Sequence, residues 1–80
     1  MDREQLIDKI RSHLADEFGL EPDLAPSQAI FSSNLLDSLN SVQILMYLES
    51  ELAIKISPLD VSLEDFDSLD KIASTIERLS

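Results

Sequence analysis

NLLDSLNSVQILMYLE, residues 34–49, is the stretch on which the reading of this chain turns. Ile44, Leu45, Leu48 and, just beyond it, Leu52 fall on one side of a helical wheel and predict a helix from about Ser38 to Leu52, with Glu49 and Glu51 outside. A second row shares that helix: Ser38, Val42 and Met46 are spaced by four, so a serine heads an apolar line beside the core face. Such a row is available to a partner.

Outward from this stretch, the segment before it has no helical period. Residues 20–37 contain Pro22 and Pro26, yet Leu24, Ile30, Phe31, Leu35 and Leu36 give it apolar anchors, so it is expected to be an ordered loop packed on the helices. A first helix is predicted from about Arg3 to Phe18, with Asp2 as N-cap and Gln5 completing a capping box. Leu6, Ile10, Leu14 and Phe18, with Ile7 beside them, draw its apolar stripe, and Gly19 stands where a left-handed C-terminal residue is wanted. After Ala53 come short turns, with Ser57 before Pro58 and Ser62 before Leu63 as caps, and a brief third helix near Leu63 to Phe66. A last helix starts at Asp67 or Ser68 and carries Leu69, Ile72, Ala73, Ile76 and Leu79. The expected fold is all-α: a small four-helix bundle of three main helices and one short one, with a long loop between the first two, in one domain over residues 1–80.

Composition narrows the functional classes. A chain of 80 residues buries only about 60% of its unfolded surface and leaves no room for a deep catalytic cleft. The absence of cysteine excludes disulfides and thiolate zinc sites, so thiol chemistry must come from something attached. Sixteen Asp and Glu against six Lys and Arg give a formal net charge of −10, which opposes binding to phosphate backbones and anionic lipid and makes basic protein surfaces the natural partners. The start MDREQLIDKI is charged, and no run approaches the roughly 18 apolar residues of a membrane span. A cytoplasmic monomer, with neither nucleic acid nor membrane insertion, is expected.

Ser38 does not fit a hydrolytic nucleophile: no glycine is near it to shape an elbow, and the lone histidine, His13, sits mid-helix and is expected to be solvated. The acids Asp60, Glu64, Asp65, Asp67 and Asp70 lack the spacing of a calcium loop and read as a solvated rim with helix caps, so neither a metal site nor a catalytic residue is expected. Two readings of Ser38 remain. It is an N-cap paired with Ser41, which capping statistics favour, or it is a site of covalent modification. For the second, a phosphate ester in the first turn would sit near unpaired backbone N–H groups and the positive end of the helix dipole, while Asp37 takes over capping.

At these residues the chain resembles the acyl carrier proteins: Asp37-Ser38-Leu39 at a loop-to-helix junction, a long preceding loop, Val42 and Met46, and the acidic end of that helix, in an acidic domain of this size. The resemblance runs from the first helix through the last. It implies that Ser38 is joined by a phosphodiester to 4′-phosphopantetheine taken from coenzyme A by a phosphopantetheinyl transferase, with Asp37 and Leu39 presenting it. It further implies that the protein is not an enzyme, and that partners dock on Val42, Met46 and Glu49. Those partners would be the transferase, an aminoacyl- or acyl-loading ligase and a downstream acyl-accepting enzyme. Fatty-acid members usually carry Gly-Ala before the triplet and acids two and five positions after the serine; here stand Leu35-Leu36, Asn40 and Gln43. Leu35-Leu36-Asp37-Ser38 and Phe66-Asp67-Ser68-Leu69-Asp70-Lys71-Ile72 look more like stand-alone aminoacyl or D-alanyl carriers. Aminoacyl cargo is therefore expected over fatty acyl or polyketide cargo, with a non-prosthetic helical adaptor as the rival from another class.

Overall fold

The computed structural model describes residues 2–57 and 59–79. Among these residues three α-helices follow in order, α1 (Arg3–Phe18), α2 (Asn40–Leu52) and α3 (Leu69–Leu79), with a 3-10 helix at Leu63–Phe66 between the last two. The short third helix is thus a single tight turn, and the expected four-helix bundle is three α-helices plus that turn.

Local chemistry sets the boundaries of α1. Asp2 accepts the Gln5 N–H at 2.8 Å and Gln5 Oε1 accepts the Asp2 N–H, so two of the unpaired donors at the helix start are satisfied reciprocally. Gly19 ends it at φ 71°, where its N–H reaches Ala15 O, a backbone setting that side-chain-bearing residues enter at a cost. At the head of α3, Ser68 Oγ accepts the Lys71 N–H, which makes Ser68 the cap and starts the helix at Leu69, one residue after Ser68 and two after Asp67, the two expected starts.

The core is the meeting of the stripes. Leu6, Ile7, Ile10 and Leu14 of α1 pack with Ile44 and Leu48 of α2 and with Leu69, Ile72, Ala73 and Ile76 of α3. Phe18, Leu45, Leu52 and Leu79 lie at its margin, half-buried. The long loop contributes Leu24, Ile30, Phe31 and Leu36, whereas Leu35 turns outward because its neighbour Leu36 takes the inward position. Each buried Leu, Ile or Phe contributes about 1.5–3 kcal/mol relative to exposure, which holds an otherwise aperiodic loop against the helices.

Polar contacts pin the same loop. Arg11 Nε donates to Leu24 O at 3.0 Å, and Asp70 N–H donates to Pro26 O at 3.0 Å. Arg3 joins α1 to α3 through Glu77 at 2.6 Å, Ser74 Oγ and Asp70 O. His13, expected to be solvated, is half-buried and stacks on Tyr47 of α2 with ring centroids 3.5 Å apart, while Lys9 pairs with Glu51 at 2.7 Å. Both contacts join α2 to α1 beside the core. The proposed cap Ser57 accepts the Leu59 N–H at 3.3 Å; Pro58, which was to follow it, is outside the described residues.

Candidate functional site

The entry to α2 is built by Asp37 and Asn40. Asp37 Oδ1 accepts the Leu39 N–H at 3.0 Å, and Asn40 Oδ1 accepts the Asp37 N–H at 3.1 Å, a reciprocal arrangement of the capping-box kind. The Asn40 N–H reaches Asp37 O and the Ser41 N–H reaches Ser38 O, so the chain enters as a tight turn and the regular helix begins at Asn40, two residues after the expected start. Ser41 Oγ also donates to Ser38 O at 2.6 Å. Ser38 is therefore not the cap. Its side chain is exposed, and its hydroxyl has no hydrogen-bond partner among the described residues.

One expectation about this turn changes. The backbone donors of Leu39, Asn40 and Ser41 are all taken by the chain itself, so they are not left over for a phosphate on Ser38. What remains for an anion there is the positive end of the α2 dipole and open solvent.

The row below the serine is exposed as its spacing predicts. Leu39 is 77% accessible, Val42 56% and Met46 61%, which is far from the core positions Ile44 and Leu48 on the same helix. Glu49 behaves differently from its expected place outside: it is half-buried, and Oε2 accepts the Ile56 N–H at 2.9 Å, tying the segment after α2 back onto the helix. Beside Ser38 a groove of about 280 Å³ runs between α2 and the 3-10 turn, lined by Ser41, Val42, Leu45, Val61, Leu63 and Phe66 and bordered by Ser38 itself. The Ser38 hydroxyl thus stands exposed at the mouth of this groove.

Asp67 is the residue that sequence reading placed in a solvated rim and that the fold uses otherwise. Its Oδ1 accepts the N–H groups of Ile30, Phe31 and Ser32 at 3.1, 2.6 and 2.9 Å, and its carbonyl accepts the Ile30 N–H at 2.8 Å. Hydrogen bonds from Ser32, Phe31 and Ile30 favour the charged form and hold the carboxyl down to about 2, with partial burial opposing them. Leu36 N–H bonds to Ile30 O, so the loop that delivers Asp37 and Ser38 is anchored at the point Asp67 clamps. Nothing in the local pattern around Asp67 signals this, because its partners are more than thirty residues away.

Among the described residues no group of three or more His, Cys, Asp or Glu side chains converges on a metal position, and no helix is long and apolar enough to cross a membrane.

The family described as "Phosphopantetheine attachment site" matches residues 8–76. The chain is 30% identical over 77 residues to an acyl carrier protein of Thermotoga maritima, covering 95% of this chain and 93% of that one. An acyl carrier protein of Thermosynechococcus vestitus is 32% identical over 57 residues, 70% of each chain. D-alanyl carrier protein 1 of Lactiplantibacillus plantarum is 30% identical over 70 residues, 88% of each.

Proposed function

This chain belongs to the family of carrier proteins with a phosphopantetheine attachment site, and from that premise we propose that Ser38 bears the group and that the chain presents an aminoacyl thioester to partner enzymes. The observation that carries the assignment is the Ser38 hydroxyl, exposed and without a partner among the described residues, in a turn that Asp37 and Asn40 close ahead of α2. Attachment forms a bond from Ser38 Oγ to the pantetheine-bearing phosphorus of coenzyme A. The pyrophosphate bond breaks, adenosine bisphosphate leaves, and the hydroxyl proton passes to a base of the transferase. The group when bound supplies the thiol that a cysteine-free chain lacks.

The chain's own part is positioning. Asp37 keeps the turn in shape through Leu39 N–H, Leu39 stands beside the serine as an apolar contact for the transferase, and Val42 and Met46 extend that contact along α2. Glu49 enters this surface only at its lower edge, since its carboxylate also holds Ile56. No catalytic role is proposed for any side chain; His13 is occupied in its stack on Tyr47.

Aminoacyl cargo is favoured by Leu35-Leu36 before the triplet and by Asn40 and Gln43 in place of acids, and a D-alanyl carrier protein is among the relatives. A fatty acyl or polyketide cargo is the second reading, favoured by relatives named acyl carrier proteins. Intact mass before and after incubation with coenzyme A, magnesium and a broad-specificity phosphopantetheinyl transferase tests the attachment, with Ser38→Ala as control. A phosphopantetheine increment on the wild type alone is expected. The same increment on Ser38→Ala overturns the site. Challenging the loaded chain with amino-acid-activating and fatty-acid-activating ligases then decides the cargo by mass.

A further inference from the structure

Residues 29–36 lead into the turn that holds Ser38, and among the described residues every hydrogen bond from this segment to a later part of the chain ends on Asp67. Inside the segment, Ser33 Oγ donates to Ala29 O, the Asn34 N–H to Phe31 O and the Leu36 N–H to Ile30 O. Burial of Ile30, Phe31 and Leu36 attaches the segment to the core. Apolar contact has no direction, however, and leaves the register of the segment free; hydrogen bonds, with narrow limits on distance and angle, set it.

From Asp67 to the serine the path is unbroken. The carboxylate holds the N–H groups of Ile30, Phe31 and Ser32, Ile30 O holds the Leu36 N–H at 3.1 Å, and Asp37 follows Leu36 in the chain. Asn40 Oδ1 then accepts the Asp37 N–H and Asp37 Oδ1 accepts the Leu39 N–H, the two bonds that shape the turn around Ser38. On the reading that Ser38 is the attachment residue, we infer that Asp67 is a positioning residue for the attachment: its carboxylate, acting through Ile30 and Leu36, holds the Ser38 turn in the form that the transferase takes up. Without the clamp, residues 30–36 keep their burial but gain alternative registers, and only the molecules in the native register present Ser38 as the wild type does. A substrate that is competent in a fraction of its molecules shows a KM raised by the inverse of that fraction at unchanged kcat.

The test is steady-state loading of the full chain by a broad-specificity phosphopantetheinyl transferase with coenzyme A and magnesium, read as intact mass, together with amide NMR spectra of the unmodified chain. The chains compared are wild type, Asp67→Ala, Asp67→Asn and Ile76→Val, the last of which loosens the core more than two turns along α3 and leaves the clamp in place. Asp67→Ala, native by circular dichroism, is expected to raise KM about fivefold or more with kcat within about twofold of wild type. Asp67→Asn, which keeps an uncharged acceptor, should fall between the two, and the amide signals of Asp37 to Leu39 should move in both variants. Ile76→Val should match wild type in KM and at those amides. A KM for Asp67→Ala within about twofold of wild type, amide changes that stop short of Asp37, or an equal rise in KM for Ile76→Val overturns the inference. Where Asp67→Ala does not fold, Asp67→Asn decides, and a wild-type KM with unmoved Asp37 to Leu39 amides overturns it. A wild type that gains no mass overturns the attachment reading and the inference with it, whereas an unchanged KM beside normal wild-type loading overturns the inference alone.

Discussion

Asp67 Oδ1 accepts the Phe31 N–H at 2.6 Å across 36 positions of sequence. That one carboxylate, with Ile30 and Ser32 as further donors, fastens the loop before α2 to the start of α3 and so fixes the approach to Ser38. Because the bonds need the charged form, the native carboxyl titrates at about 2, below the ordinary value of 3.8 in an unfolded chain.

The pH dependence follows with a definite sign. The depressed value means that the unfolded chain binds a proton first on acidification, so the stabilisation is complete above about pH 4 and is lost as pH falls toward 2. For a half-exposed group the loss is about 1 kcal/mol after allowance for solvent screening. Asp67→Asn is expected to flatten this part of the stability curve measured by urea unfolding, and to raise amide exchange at Ile30 to Ser32. A curve as steep as wild type between those pH values contradicts the clamp.

Capping is expected to separate Asp37 from Ser38. Asp37→Ala removes the acceptor for Leu39 N–H and should cost about 0.5–2 kcal/mol. Ser38→Ala deletes a hydroxyl with no partner among the described residues and should change stability by less than about 0.5 kcal/mol while abolishing loading. Chemical denaturation of the pair reads the difference, and equal losses would mean that Ser38 shares the cap.

The two faces of α2 should respond in opposite ways to truncation. Ile44→Ala opens the core and is expected to cost about 2–5 kcal/mol, whereas Val42→Ala, at a site more than half exposed, should stay within about 0.5 kcal/mol. Thermal unfolding checks both. A large loss at Val42 would place it in the core and not on a docking face.

Tyr47 offers a probe of the α1–α2 contact, since it is the one tyrosine and the chain has no tryptophan. Burial raises its phenol above the ordinary value of 10.0, with Lys9 pulling the other way. Ultraviolet titration should show tyrosinate appearing at higher pH in the folded than in the urea-unfolded chain. The corresponding stability is present below the unfolded value and is lost as pH rises through the folded one. His13→Ala, which removes the stacked ring, should shift the folded titration toward the unfolded one and cost about 0.5–1.5 kcal/mol.

The three main helices can be read from local sequence, and Ser38 is singled out as the candidate attachment residue by the resemblance to acyl carrier proteins. The stripes of α1 and α3, the Asp2–Gln5 box, the left-handed Gly19 and the exposed Ser38, Val42, Met46 row all depend on residues within a turn or two of one another, and a period of 3.6 or a cap three residues long is written locally. Even the start of α2 was legible to within two residues, the error arising because Asp37 and Asn40 form a tight turn before the regular helix. Folding in three dimensions was needed to show that Asp67 clamps residues 30–32, that His13 stacks on Tyr47, that Leu36 and not Leu35 faces inward, and that Glu49 holds Ile56. The first three join or orient elements by hydrogen bonds or packing that no periodicity encodes, and the fourth depends on where the chain turns after α2. A carboxylate's partner is set by which backbone donors the folded core brings within about 3 Å of it, a distance that sequence separation does not reveal.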